Sequence, residues 1–98
     1  MPRWTKPAQR DLQAQLEYIE RENPNVVSRI AVQIKKATES LDSFPQIGRD
    51  GVVDGTQELV IPRLPFDCVY REQGGQVEIL RLLHERMQWP ILSNREGR

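Results

Sequence analysis

The hydrophobic pattern of this chain changes period once, and that change constrains the fold more than any other feature. In the first half, apolar residues recur every three or four positions. Ala8, Leu12, Leu16 and Ile19 form one such stripe, and Val27, Ile30, Ile34, Ala37 and Leu41 form a second. From Thr56 onward the apolar residues fall in short runs suited to strands, where alternate side chains share a face. Helices first and strands after predict an α+β domain, with a two-helix hairpin packed on one face of a small antiparallel sheet.

Local punctuation sets the boundaries. Thr5 offers an N-cap, and Pro7 lies in the first turn, where its missing N–H costs nothing. The first helix is predicted to end near Glu22. Asn23-Pro24 is a second start signal, with Asn as N-cap and Pro at the first helical position. The second helix then runs to about Ser43 and stops at Phe44-Pro45, because proline disfavours helical geometry in the residue before it. So short a link demands an antiparallel helix pair. Arg3-Trp4-Thr5 is a candidate edge strand, and residues 46–55, with three glycines, read as a loop.

Three strands are predicted beyond that loop, over residues 57–61, 66–71 and 77–83, joined in order as a meander. Gln73-Gly74-Gly75-Gln76 marks the tight turn between the last two. On the last strand, alternation places Val77, Ile79, Arg81 and Leu83 on one face and Glu78, Leu80, Leu82 and His84 on the other. Both faces then carry apolar side chains. A small sheet of that kind expects a second layer, and a partner chain is one way to supply it.

The length of 98 residues suits one domain, taken as residues 1–92, with the polar residues 93–98 expected to fray. A domain this small buries a modest share of its surface, so lasting association with a partner would help it. The 38% hydrophobic and 29% charged content fits a soluble globular protein, and zero formal net charge argues against non-specific attraction to nucleic acid. Cys68 is the single cysteine, which excludes an internal disulfide and a multi-cysteine metal site. It is expected to act as a small buried hydrophobe rather than a catalytic thiol. No metal or cofactor is implied. The N-terminus has no apolar signal core, and no run approaches the roughly 18 apolar residues of a membrane span. A cytoplasmic protein without membrane association is the expectation.

The order of short motifs is more specific than any one of them. Asn23-Pro24, Phe44-Pro45, Gly48-Arg49, Gln57-Glu58-Leu59 and Tyr70-Arg71 lead to a strand that ends His84-Glu85-Arg86, followed by Trp89-Pro90. From Arg3 to about Pro90 this resembles the ParE branch of the ParE/RelE superfamily of type II toxins. The resemblance implies an N-terminal strand, a helix hairpin and an antiparallel sheet. It also implies a cognate antitoxin that wraps the toxin, folds on binding and covers apolar surface. ParE-like members inhibit DNA gyrase by binding it, whereas RelE-like members cleave messenger RNA on the ribosome; fold does not choose between them. A third possibility is a relative that holds antitoxin without being toxic.

Charge favours the binding branch. Asp67 stands near the start of a strand where the resemblance places an arginine in the nucleases, and it would repel a phosphate. Glu85 interrupts the basic ending between His84 and Arg86, where ParE-like chains commonly have glycine. Asp50, Asp54 and Glu58 add further negative charge. The candidate residues for binding a target or partner are Arg71, Arg81, His84, Arg86 and Trp89. Leu12, Leu16, Leu80 and Leu82 are candidates for the surface that faces the antitoxin. In the nuclease alternative, His84 would act with Arg71, Arg81 or Arg86. Against these roles, Arg71 and Arg81 are candidates for salt bridges with Glu58, Glu72 or Glu78. The favoured reading of His84 is a strand-end or interface residue rather than a catalytic one, and the alternative for Trp89 is packing back on the domain.

Overall fold

The computed structural model describes residues 1–85. A two-residue strand, β1 (Arg3–Trp4), leads into helix α1 (Lys6–Glu22). Thr5 caps the helix through its hydroxyl, which accepts from the Ala8 N–H at 3.4 Å. A single 3-10 turn, Pro24–Val26, joins it to α2 (Val27–Ser43). Asn23 makes no side-chain capping bond, so the second start rests on Pro24 and the 3-10 turn instead.

The sheet has five strands, in the order β1, β5, β4, β3, β2: the candidate edge strand, the predicted meander, and a short strand inside the stretch read as a loop. They are β2 (Arg49–Asp50), β3 (Gln57–Val60), β4 (Phe66–Gln73) and β5 (Gln76–His84), with β1 at the far edge. The predicted meander is present as β3, β4 and β5. β1 pairs with β5 in parallel, so the sheet is mixed rather than wholly antiparallel. A parallel partner needs a long crossover, and the return through α1, α2 and the three following strands supplies it. Gly74 and Gly75 both have positive φ, +61° and +79°, as a two-residue hairpin turn between β4 and β5 requires.

The predicted facing of β5 holds only for its first half. Val69 pairs with Arg81 while Tyr70 pairs with Ile79, which leaves Leu80 as an extra residue in a bulge. One inserted residue reverses the alternation beyond it. Val77, Ile79 and Leu82 therefore join Phe66, Cys68 and Tyr70 in one core against Ala8, Ile34 and Leu41 of the helices. Leu82 is fully buried there. Its expected place on an antitoxin-facing surface is thus corrected, and Leu80, half-buried at the bulge, is the residue left nearer the surface. Burying each such aliphatic side chain contributes about 1.5–3 kcal/mol. Val69 and Leu83, on the opposite face of the sheet, are also buried.

Candidate functional site: an apolar groove and a charged pocket

Three residues from two elements make an apolar groove on the helix side. Trp4 of β1 and Leu12 and Leu16 of α1 are shared by two adjoining hollows of 430 and 290 Å³. Val27 and Ala31 of α2 close the other side. The helical four-residue step puts Leu12 and Leu16 one above the other, and β1 brings Trp4 beside them. The rim carries Glu17, Glu20 and Glu39 against Lys35, so it is net acidic. The structure thus groups the predicted Leu12 and Leu16, adds Trp4, and leaves out both Leu80 and Leu82.

The second concavity lies at the end of the sheet. Arg49, Glu58, Val60, Pro65, Phe66, Asp67, Leu83, His84 and Glu85 line a pocket of 200 Å³. The His84 ring meets Phe66 edge-on, with centroids 5.9 Å apart. Arg49 donates to Glu58 at 3.0 Å and to Asp67 at 3.4 Å. The Val52 N–H donates to the other oxygen of Glu58 at 3.3 Å. Burial, and then a hydrogen bond with Glu58, push the Asp67 carboxyl above the usual range, with Arg49 pulling the other way. Asp67 Oδ1 is buried without a donor among the described residues, and a proton shared with Glu58 would supply one. Three carboxyl groups around one arginine make this an acidic pocket, poorly suited to a phosphate.

Arg49 owes its place to a close approach behind it. The Tyr70 hydroxyl accepts from the Gly48 N–H at 2.9 Å and donates to the Pro45 carbonyl at 2.7 Å. A Cβ on Gly48 would stand 2.7 Å from that hydroxyl and 2.8 Å from the Glu58 carbonyl oxygen. Only glycine fits without a shift. The Gly48-Arg49 motif therefore has a packing reason, one that spacing alone did not reveal.

The strand arginines are already engaged. Arg71 donates to Glu78 at 2.8 Å, and Arg3 bonds the other oxygen of the same carboxylate. These two hydrogen bonds hold the Glu78 carboxyl below the usual range. Arg81 makes two bonds to Asp11, at 2.7 and 3.0 Å, and Asp11 also accepts from the Leu82 N–H at 3.0 Å. The hydrogen bond to Asp11 raises the Arg81 pKa. The ion-pair expectation thus holds for Arg71 with Glu78, whereas Arg81 takes Asp11 of α1 instead of a strand glutamate. Cys68 is fully buried, and burial pushes its thiol up to about 12, so it is no nucleophile. Arg86 and Trp89 lie outside the described residues. Among the described residues no cluster of His, Cys, Asp and Glu is arranged to hold a metal, and no helix is long and apolar enough to cross a membrane.

Comparison with known proteins agrees with this architecture. A toxin-type protein of Sinorhizobium fredii, Y4kP, is 38% identical over 88 residues, covering 90% of this chain and 91% of the relative. Toxin RelE2 of Caulobacter vibrioides is 33% identical over 81 residues, covering 83% and 90%. A solved structure from the chromosomal ParDE TA system of P. aeruginosa superposes with a TM-score of 0.76 at 26% identity, covering 84% of this chain and 91% of that one. Residues 3–89 match the family described as the ParE toxin of the type II toxin–antitoxin system, parDE. The chain belongs to the ParE toxin family of type II toxin–antitoxin systems.

Proposed function

We propose that this toxin acts by binding DNA gyrase, and that a cognate antitoxin silences it by laying an apolar segment in the groove of Trp4, Leu12 and Leu16. The observation that carries the first part is the state of the basic side chains on the sheet. Arg3, Arg49, Arg71 and Arg81 each bond a carboxylate. A phosphate-cleaving site needs cations free to take up developing negative charge. The described pocket offers one arginine and three carboxyl groups instead. A binding toxin needs only a surface, to which Arg71, Arg86 and Trp89 would contribute.

The groove supports the second part. A hollow lined by leucine and tryptophan gains by removing that surface from water, at roughly 25 cal/mol per Å² of apolar area. The acidic rim favours an apolar segment flanked by basic residues. The matched structure from the ParDE TA system of P. aeruginosa supports a toxin that works as one half of a pair.

The rival reading, ribosome-dependent messenger cleavage, draws on His84 in the charged pocket and on the relative named RelE2. Induced expression in bacteria separates the two. A DNA-damage response with growth arrest, relieved by coexpressed antitoxin, is expected. Translation arrest with intact DNA, lost on His84→Ala, would establish the rival.

A further inference from the structure

A second groove runs along the other side of α2, away from Leu12 and Leu16. Its volume is 330 Å³, and it is walled by Gln33, Lys36, Ala37 and Ser40 of α2 and by Ile47, Leu59, Ile61 and Pro62. Ile47 and the neighbouring Phe44 are more than half exposed. The only charged residue in its wall is Lys36. Arg63 follows Pro62 directly and is exposed.

Two observations mark this rim. The first is that Lys36 in the wall and Arg63, next to the wall residue Pro62, are uncommitted. Arg3, Arg49, Arg71 and Arg81 all bond carboxylates, but neither Lys36 nor Arg63 forms an ion pair among the described residues. The second is backbone strain. Arg63 has φ of +67°, and it is the one non-glycine residue with positive φ among those described. The turn is closed by the Leu64 N–H bonding the Ile61 carbonyl at 3.1 Å, with Pro62 and Arg63 at its centre. Proline followed by a positive-φ residue is the signature of a type II turn, in which glycine is the unstrained choice at the second position. A charged side chain kept there at a cost of order 1 kcal/mol points to use of that side chain.

We infer that this groove docks an acidic protein segment carrying apolar anchors, with the anchors over Ala37, Ile47 and Leu59 and the carboxylates on Lys36 and Arg63. The opposite rim charge of the Leu12–Leu16 groove means that the two sides of α2 select segments of opposite charge. An apolar floor favours a peptide over a nucleic acid, whose phosphates would meet the cations but leave the floor uncovered.

Two labelled peptides test it on the isotope-labelled full chain. One alternates leucine and glutamate in an amphipathic pattern, and the other replaces glutamate with lysine. The leucine–glutamate peptide is expected to shift the NMR amide signals of Lys36, Ala37, Ile47, Ile61 and Arg63, and the leucine–lysine peptide those around Leu12 and Leu16. The double variant Lys36→Glu with Arg63→Glu should weaken leucine–glutamate binding about tenfold. Arg63→Gly suits the turn, so it keeps the fold and should give a smaller loss. The inference is overturned if the leucine–glutamate peptide shifts nothing at this groove at millimolar concentration. It is equally overturned if both peptides bind there alike, if the double variant binds unchanged, or if single-stranded DNA displaces the peptide.

Discussion

The groove of Trp4, Leu12 and Leu16 and the pocket of Arg49, Glu58 and Asp67 are both concave, but their chemistry is opposite. The groove is apolar, and none of its leucines has a polar group to satisfy. The pocket is charged, and its arginine is held between two carboxylates. The difference teaches where this small domain keeps its binding capacity. Charge on the sheet is spent on holding strands and loops together, while apolar surface on the helix side is left over. Substitutions in the groove should therefore cost binding and spare the fold, and substitutions among the paired charges should do the reverse.

The largest expected effect is on partner binding. Leu16→Glu places a charge in the groove and should weaken antitoxin binding at least a hundredfold, corresponding to about 2.7 kcal/mol. Because Leu16 is only half-buried, thermal stability should change little. Calorimetric titration of antitoxin, paired with a melting curve, checks both halves. A large drop in melting temperature with intact binding would break the comparison from the groove side.

Next comes Asp11→Ala, which strips Arg81 of two hydrogen bonds and leaves the Leu82 N–H without its acceptor. A loss of about 2 kcal/mol is expected, because removing one partner exposes the cost of the others left unmade. In a domain of this size that lowers the melting temperature by roughly 10 °C. Gyrase inhibition by the folded fraction should persist. If stability holds and inhibition disappears, Asp11 and Arg81 belong to the target surface instead.

The smallest effect sharpens the account of the pocket. The Asp67 carboxyl is raised in the folded state, chiefly by burial. A raised acid contributes its favourable share below its unfolded pKa and loses it as pH rises through the folded value. Asp67→Asn should therefore raise the melting temperature by a few degrees at pH 7, with the gain vanishing near pH 3. Glu78 has the opposite sign. Its carboxyl is lowered by Arg3 and then Arg71, so its share is present at neutral pH and fades as pH falls through the folded value. Glu78→Gln should flatten the acid limb of the stability curve.

Much of the fold was legible because local rules and global packing agreed. Both helices, the cap at Thr5, the proline start at Pro24 and the Gly74-Gly75 hairpin follow from periodicity and turn chemistry, whereas the cap expected at Asn23 makes no bond. The rest depended on geometry that no short window contains. The bulge at Leu80 is one inserted residue in a nine-residue strand, with no proline or glycine to announce it. Strict alternation therefore sent Leu82 to the wrong face. The parallel pairing of β1 joins Trp4 to Ile79 across most of the chain. Arg81 found Asp11, seventy residues away, because β1 ends at Trp4 and leaves the outer edge of β5 to be bonded by α1. Within the site, Leu12 and Leu16 were legible as a helical stripe. Trp4 was not, since two residues of strand carry no period. Asp67 was legible as an anion at the start of a strand, but the neighbouring carboxyl of Glu58 needed the register of β3 on β4.

Purified toxin added to DNA gyrase in a supercoiling reaction, with messenger cleavage on ribosomes measured in parallel, decides between gyrase binding and RNA cleavage. Blocked supercoiling with cleaved DNA trapped on the enzyme, relief by antitoxin, and no messenger cleavage are expected. Unimpaired supercoiling at micromolar toxin, together with messenger cleavage that depends on His84, would contradict gyrase binding.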